Sequence, residues 1–131
     1  WHCLNALKVS KFLEKNKKIS WVSYAGLESN KYNKIAKKLM NKGVGPVFTF
    51  GLKDGYEAGK KLISKVKIFS HVANVGDTRS LILHPASTTH NQLSDTQKIK
   101  AGAGPDVIRV SIGLEHHQDL IKDLKNALSD V

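Results

Sequence analysis

Apolar residues recur along this 131-residue chain at two alternating periods. One is near the 3.6 of an amphipathic helix and the other is the two-residue period of a half-buried strand. Residues 2–16 carry Cys3, Leu4, Ala6, Leu7 and Leu13 on one stripe and read as a helix. Ile19, Trp21 and Val22 mark a short strand at 19–24, closed by a turn at Ala25 and Gly26. The clearest helix spans 31–42. Tyr32, Ile35, Ala36, Leu39 and Met40 fall at i, i+3, i+4, i+7 and i+8, and Lys31, Lys34, Lys37, Lys38 and Lys42 occupy the remainder. Gly43, Gly45 and Pro46 end it.

The alternation resumes at 47–50, a strand. A helix over 55–66 turns Tyr56, Gly59, Leu62, Ile63 and Val66 inward and Lys60, Lys61 and Lys65 outward. Residues 67–69 read as a brief strand and 80–84 as another, broken by Pro85. The stretch 86–93 is polar and irregular. Ser94 with Gln97 forms a capping box for a short helix to Lys100. A glycine-rich connector, 101–105, leads to a strand at 107–112. A last helix starts near His116 with Leu120, Ile121, Leu124, Leu128 and Val131 on one face. These elements predict an α+β fold: one domain over 1–131, an open, largely antiparallel sheet of about four strands with helices on one face. The other sheet face is left to meet something else.

The charge is unevenly spread. Residues 1–67 hold 15 Lys, no Arg and 4 acids, and all of the basic excess lies there; residues 68–131 hold 4 Lys, 2 Arg and 7 acids. Lysines on outer helix faces keep a protein soluble. A basic nucleic-acid-binding module is the rival reading, and the scarcity of Arg, the preferred reader of base edges, argues against it. One cysteine, Cys3, excludes an internal disulfide and suits a reducing, cytoplasmic setting. No apolar run reaches the ~20 residues of a membrane span. The first residue is Trp1 and the only Met is Met40, so a piece of a longer polypeptide is expected.

Arg109 is the most informative residue. In the strand at 107–112, Ile108, Val110 and Ile112 share one face, whereas Arg109 and Ser111 project from the other. A guanidinium among β-branched neighbours is costly unless paired, and its planar fork matches a carboxylate. A structural acid or a ligand would serve equally. The run from His84 to His90 leaves a strand, breaks at Pro85 and presents hydroxyls at Ser87, Thr88 and Thr89; taken alone it reads as a well-bonded turn. Asn74, Val75, Gly76, Asp77 and Thr78 read as a further turn without the glycines and Lys of a phosphate loop. Pairing His84 with His90, or His116 with His117, lacks the partners of a metal site.

Three segments in order, ThrPheGlyLeuLys (49–53), PheSerHisValAlaAsnValGlyAspThrArgSerLeuIleLeuHisProAlaSerThrThrHis (69–90) and ValIleArgValSerIleGlyLeuGlu (107–115), resemble the C-terminal domain of the Cys/Met-metabolism pyridoxal-phosphate enzymes. The segment 21–27 adds to the likeness, although Ala25 stands where the family often has Pro. SerThrThrHis (87–90) and Asn74 resemble the O-acetylhomoserine sulfhydrylase branch. The resemblance implies the small domain of an aspartate-aminotransferase-type fold, with residues 1–16 as the end of an interdomain helix. It implies that Arg109 binds the substrate α-carboxylate, that Asn74 and Val75 lie beside it, and that Thr89 helps hold the Arg. It implies a partner domain, absent here, that binds pyridoxal phosphate through a Schiff-base Lys; none of the 19 Lys matches that motif. This chain alone is therefore expected to bind no cofactor and to catalyse nothing. The parent would be a homotetramer replacing the acetate of O-acetylhomoserine with sulfide or methanethiol. Alternatives within the family are the cystathionine γ-synthase and methionine γ-lyase types.

Overall fold

The computed structural model describes residues 1–71, 78–88, 92, 94–100 and 104–131, with Asp95 and Lys98 by backbone alone. The elements run α1 (His2–Glu14), β1 (Ile19–Ser23), α2 (Asn33–Leu39), β2 (Val47–Leu52), α3 (Gly55–Lys65), β3 (Leu81–Leu83), a 3-10 turn (Pro85–Ser87), α4 (Asp95–Lys100), β4 (Val107–Ser111) and α5 (His117–Ser129). The strands form one open sheet in the order β1-β2-β4-β3. All three pairings are antiparallel. This is the α+β architecture the pattern predicts.

The core lies on one sheet face. Phe48, Phe50 and Leu52 of β2, Ile82 of β3, and Ile108 and Val110 of β4, followed by Ile112, point into it. Ala6, Val9 and Leu13 of α1, Ala58 and Leu62 of α3, and Leu120, Leu124, Ala127 and Leu128 of α5 close over them. The inward line of α1 is therefore not the expected one: Leu4 is exposed, while Asn5 and Ser10 are buried. Asn5 can be buried because its Nδ2 donates to the Gly113 and Glu115 carbonyls at 3.2 and 2.7 Å. Lys18 Nζ donates to the carbonyls of Leu128, Ser129 and Val131, which answers the unpaired carbonyls at the end of α5.

Three other expectations change. The helix expected at 31–42 shrinks to α2, and its apolar stripe faces outward: Tyr32, Ile35, Leu39 and Met40 are all exposed. Only Asn33 and Ala36 are buried, and Asn33 anchors the helix by donating to the Ala25 carbonyl at 2.9 Å. The core is already filled by α1, α3 and α5, so this stripe finds no place in it. Residues 67–69 form bends rather than a strand, because the Asp123 carboxylate captures the Lys67 and Ile68 backbone N–H groups at 2.8–3.1 Å. Pro85 starts a 3-10 turn instead of an irregular stretch. The capping box is formed reciprocally, Ser94 N–H to Gln97 Oε1 at 3.0 Å and Gln97 N–H to Ser94 Oγ at 3.3 Å. No helix among the described residues is long and apolar enough to cross a membrane.

Tyr24 closes the turn after β1, its ring 5.4 Å from Phe48 and its hydroxyl donating to the Gly45 carbonyl at 2.8 Å. Burial, and then the charge on nearby Cys3, push its phenol up to about 12. The folded state thus holds the proton more tightly than the unfolded chain. The associated stability is complete below about pH 10, the unfolded value, and is lost as pH rises toward 12. Urea titrations at pH 9, 10 and 11 will show wild type losing stability more steeply than Tyr24→Phe. The difference should be on the order of 2 kcal/mol across the full interval; parallel pH profiles would refute it.

Candidate functional site

The site is assembled by strand register on the sheet face opposite the packed helices α1, α3 and α5. On that face Leu81, Leu83, Val107 and Ser111 are buried, and Ser23, Thr49 and Arg109 are partly or fully exposed. Ser23 lies opposite Thr49, Thr49 opposite Arg109, and Arg109 opposite Leu83. These four form one transverse row, and directly opposed residues share a face. Ile108 and Val110, on either side of Arg109, are wholly buried, whereas Arg109 is half-buried and projects away from them. Among the described residues its guanidinium makes no hydrogen bond or ion pair, so no structural acid is seen to claim it.

The next row along the sheet is Trp21, Gly51 and Val107. The Trp21 indole N–H donates to Asp106 Oδ2 at 3.0 Å. It crosses directly above Gly51, where an added Cβ would stand 2.1 Å from Trp21 Nε1 and 2.7 Å from Asp106 Oδ2. Only glycine leaves room for that strut. A cavity of about 370 Å³ opens beside it, lined by Trp21, Ser23, Thr49, Ile99, Gly104, Asp106 and Val107. Its described borders are two hydroxyls, an indole, one carboxylate and the apolar side chains of Ile99 and Val107.

His84 belongs to the scaffold. It is completely buried, its ring 5.2 Å from Tyr56. Its Nε2 lies 2.8 Å from the Pro105 carbonyl and its Nδ1 2.8 Å from Ser87 Oγ. A carbonyl only accepts, so Nε2 carries the proton and Nδ1 takes the hydroxyl. The ring thereby ties the 3-10 turn after β3 to the segment before β4. His116 caps α5, its Nδ1 accepting the Gln118 N–H at 3.2 Å. Among the described residues no three His, Cys, Asp or Glu converge on a point that could hold a metal.

Of the candidate residues, Arg109 stands on the open face. Asn74, Val75 and Thr89 lie outside the described residues. Sequence reasoning missed the Trp21–Asp106 strut and the role of Glu115. The Glu115 carboxylate accepts the Ser80 N–H at 2.8 and 3.0 Å and the Ser80 hydroxyl at 3.0 Å. That hydroxyl in turn accepts the Gly113 N–H at 2.8 Å. A Cβ on Gly113 would fall 2.3 Å from the Thr78 carbonyl, so the turn after β4 is pressed against the chain entering β3. The only sequence signal was a glycine followed by an acid just past the Arg strand.

An arginine on the open face of a small antiparallel sheet, clamped at both ends of its strand, is the frame onto which the comparisons fall. The family model for Cys/Met metabolism PLP-dependent enzymes matches residues 1–129, and the chain belongs to that family. O-acetyl-L-homoserine sulfhydrylase 1 of Thermus thermophilus is 48% identical over 128 residues, covering 98% of this chain and 30% of that protein. L-methionine gamma-lyase of Fusobacterium nucleatum subsp. polymorphum is 44% identical, covering 99% and 33%. A solved Campylobacter jejuni chain described as an O-acetylhomoserine (thiol)-lyase superimposes with a TM-score of 0.88 at 43% identity, covering 98% of this chain and 30% of its own. It carries an N'-pyridoxyl-lysine-5'-monophosphate at its position 205, outside the part matched here. This chain thus spans about a third of the length of these relatives.

On the described face a guanidinium and hydroxyls suit a carboxylate, and the described lining of the cavity supplies no amine. If His84 is scaffold, His84→Ala leaves a void and an unpaired Pro105 carbonyl. The unfolding free energy should fall by about 2–4 kcal/mol. A His84→Ala chain that unfolds at wild-type urea concentration would overturn the structural role.

Proposed function

We propose that this chain is the substrate-orienting C-terminal domain of an O-acetylhomoserine sulfhydrylase. The reaction replaces the acetate of O-acetylhomoserine with sulfide or methanethiol, giving homocysteine or methionine. The observation that carries the proposal is the half-buried Arg109, which projects from the sheet face opposite the helices with no ion-pair partner among the described residues. Pyridoxal phosphate, held by the remainder of the longer protein, supplies the electron sink.

The domain's share is geometry. The fork of Arg109 takes both oxygens of the substrate α-carboxylate, and two parallel hydrogen bonds fix the rotation about the bond to Cα. That rotation selects which bond at Cα lies in the reactive orientation. Asn74 and Val75 would line the carboxylate, and Thr89 would brace the guanidinium. The relatives named as sulfhydrylases support the sulfur-transfer reading. The relative named as a methionine lyase keeps a lyase in view, and Arg109 would do the same work there. Residues 1–16 would be the end of a helix joining this domain to the cofactor domain.

In the full-length enzyme, Arg109→Ala should lower kcat/KM by about 30- to several-thousand-fold, the usual effect of deleting one partner of a buried charge pair. Arg109→Lys keeps the charge, loses the fork and should fall between. The thermal midpoint and the bound-cofactor spectrum should stay near wild type. A large fall in the midpoint would mark Arg109 as structural, and undiminished activity would end the assignment.

The isolated chain makes a second test. Mixed with equimolar pyridoxal phosphate, it should form no stable yellow adduct that maps to a single Lys. One mapped, saturable adduct would contradict the assignment of cofactor binding to the rest of the protein.

A further inference from the structure

We infer that Thr49 is a positioning residue, its hydroxyl holding the Arg109 guanidinium in the orientation that receives a carboxylate. This rests on the carboxylate reading of Arg109 and adds a residue on a different strand, outside the three motif positions already considered.

A guanidinium has five N–H groups, and a carboxylate engaged by the fork uses two. When the open face is covered, the remaining donors lose water and each needs an acceptor. The row through Arg109 offers very different neighbours on its two sides. Toward β3 stands Leu83, which is buried and has no side-chain acceptor. Toward β2 stands Thr49, half-buried and directly opposite Arg109, with Ser23 beyond it. Acceptors are therefore supplied by one side of the row alone, and Thr49 is the nearer.

The surroundings make that hydroxyl available. Among the described residues it is engaged in no hydrogen bond. Its backbone is pinned between β1 and β4, so its position does not drift. Its flank borders the 370 Å³ cavity, so the hydroxyl has room to turn toward the guanidinium. As a β-branched residue Thr49 has few χ1 states to lose on fixing that contact. On one flanking row Gly51 has no side chain and Val107 no acceptor, and Asp106 Oδ2 is taken by the Trp21 indole; on the other, Ser111 carries the one further hydroxyl, buried on β4 itself.

The test uses two substitutions in the full-length, cofactor-loaded enzyme. Thr49→Val keeps the branched shape and removes the hydroxyl; Thr49→Ser keeps the hydroxyl and removes the methyl. A hydrogen bond to a charged group that holds substrate equally in ground and transition states predicts KM for the amino-acid substrate raised about tenfold or more in Thr49→Val, with kcat little changed. Thr49→Ser should restore KM to within about threefold of wild type. A packing role predicts the reverse order, Ser worse than Val with a lowered thermal midpoint, and that order would overturn the inference. Arg109→Ala is measured alongside. If it loses activity while Thr49→Val matches wild type, the Thr49 inference falls and the carboxylate reading stands. If Arg109→Ala is itself undiminished, both fall together.

Discussion

Strand β4 is paired on both sides, with β2 and with β3, and this double pairing fixes its register. Its residues cannot slip by one without exchanging faces. Such a slip would drive the Arg109 guanidinium under α1, α3 and α5 and expose Ile108 and Val110, at a desolvation cost that several lost apolar contacts would add to. The apolar packing of one face therefore decides the aim of the polar residue on the other. The direction of Arg109 follows from the burial of its two neighbours, before any partner is considered.

The ends of β4 are held by polar contacts of a different kind. Before the strand, His84 binds the Pro105 carbonyl and Asp106 holds Trp21. After it, Glu115 and Ser80 lock Gly113. The two carboxylates are spent on N–H and hydroxyl donors and the imidazole on a carbonyl, whereas the Arg109 guanidinium has no hydrogen bond among the described residues. The lysine excess of the first half plays no part in this frame: its helix-borne lysines sit on outer surfaces, and Lys18 alone reaches a helix end.

Much of this was legible along the chain, for a physical reason. A period of two survives in a short strand, so 107–112 announced both its core face and Arg109's opposite aim. The capping box at Ser94 and Gln97 was legible because its partners are three residues apart. Contacts across long separations were not. Trp21 to Asp106 and Ser80 to Glu115 depend on strand order and register, which no local pattern carries. The stripe on α2 misled because periodicity says that a face is apolar, not what covers it. Asp123 was hidden for a similar reason: on α5 it reads as a solvent-facing acid, but its carboxylate ends a turn 55 residues away.

The first turn of α1 is sewn to the chain just past β4. Trp1 Nε1 donates to the Leu114 carbonyl at 3.2 Å, His2 Nδ1 meets the Ile112 carbonyl at 2.7 Å, and Asn5 spans Gly113 and Glu115. Four hydrogen bonds from three residues thus tie the start of α1 to the chain that leaves β4, three residues beyond Arg109, so the placement of the helix and that of the guanidinium share one junction.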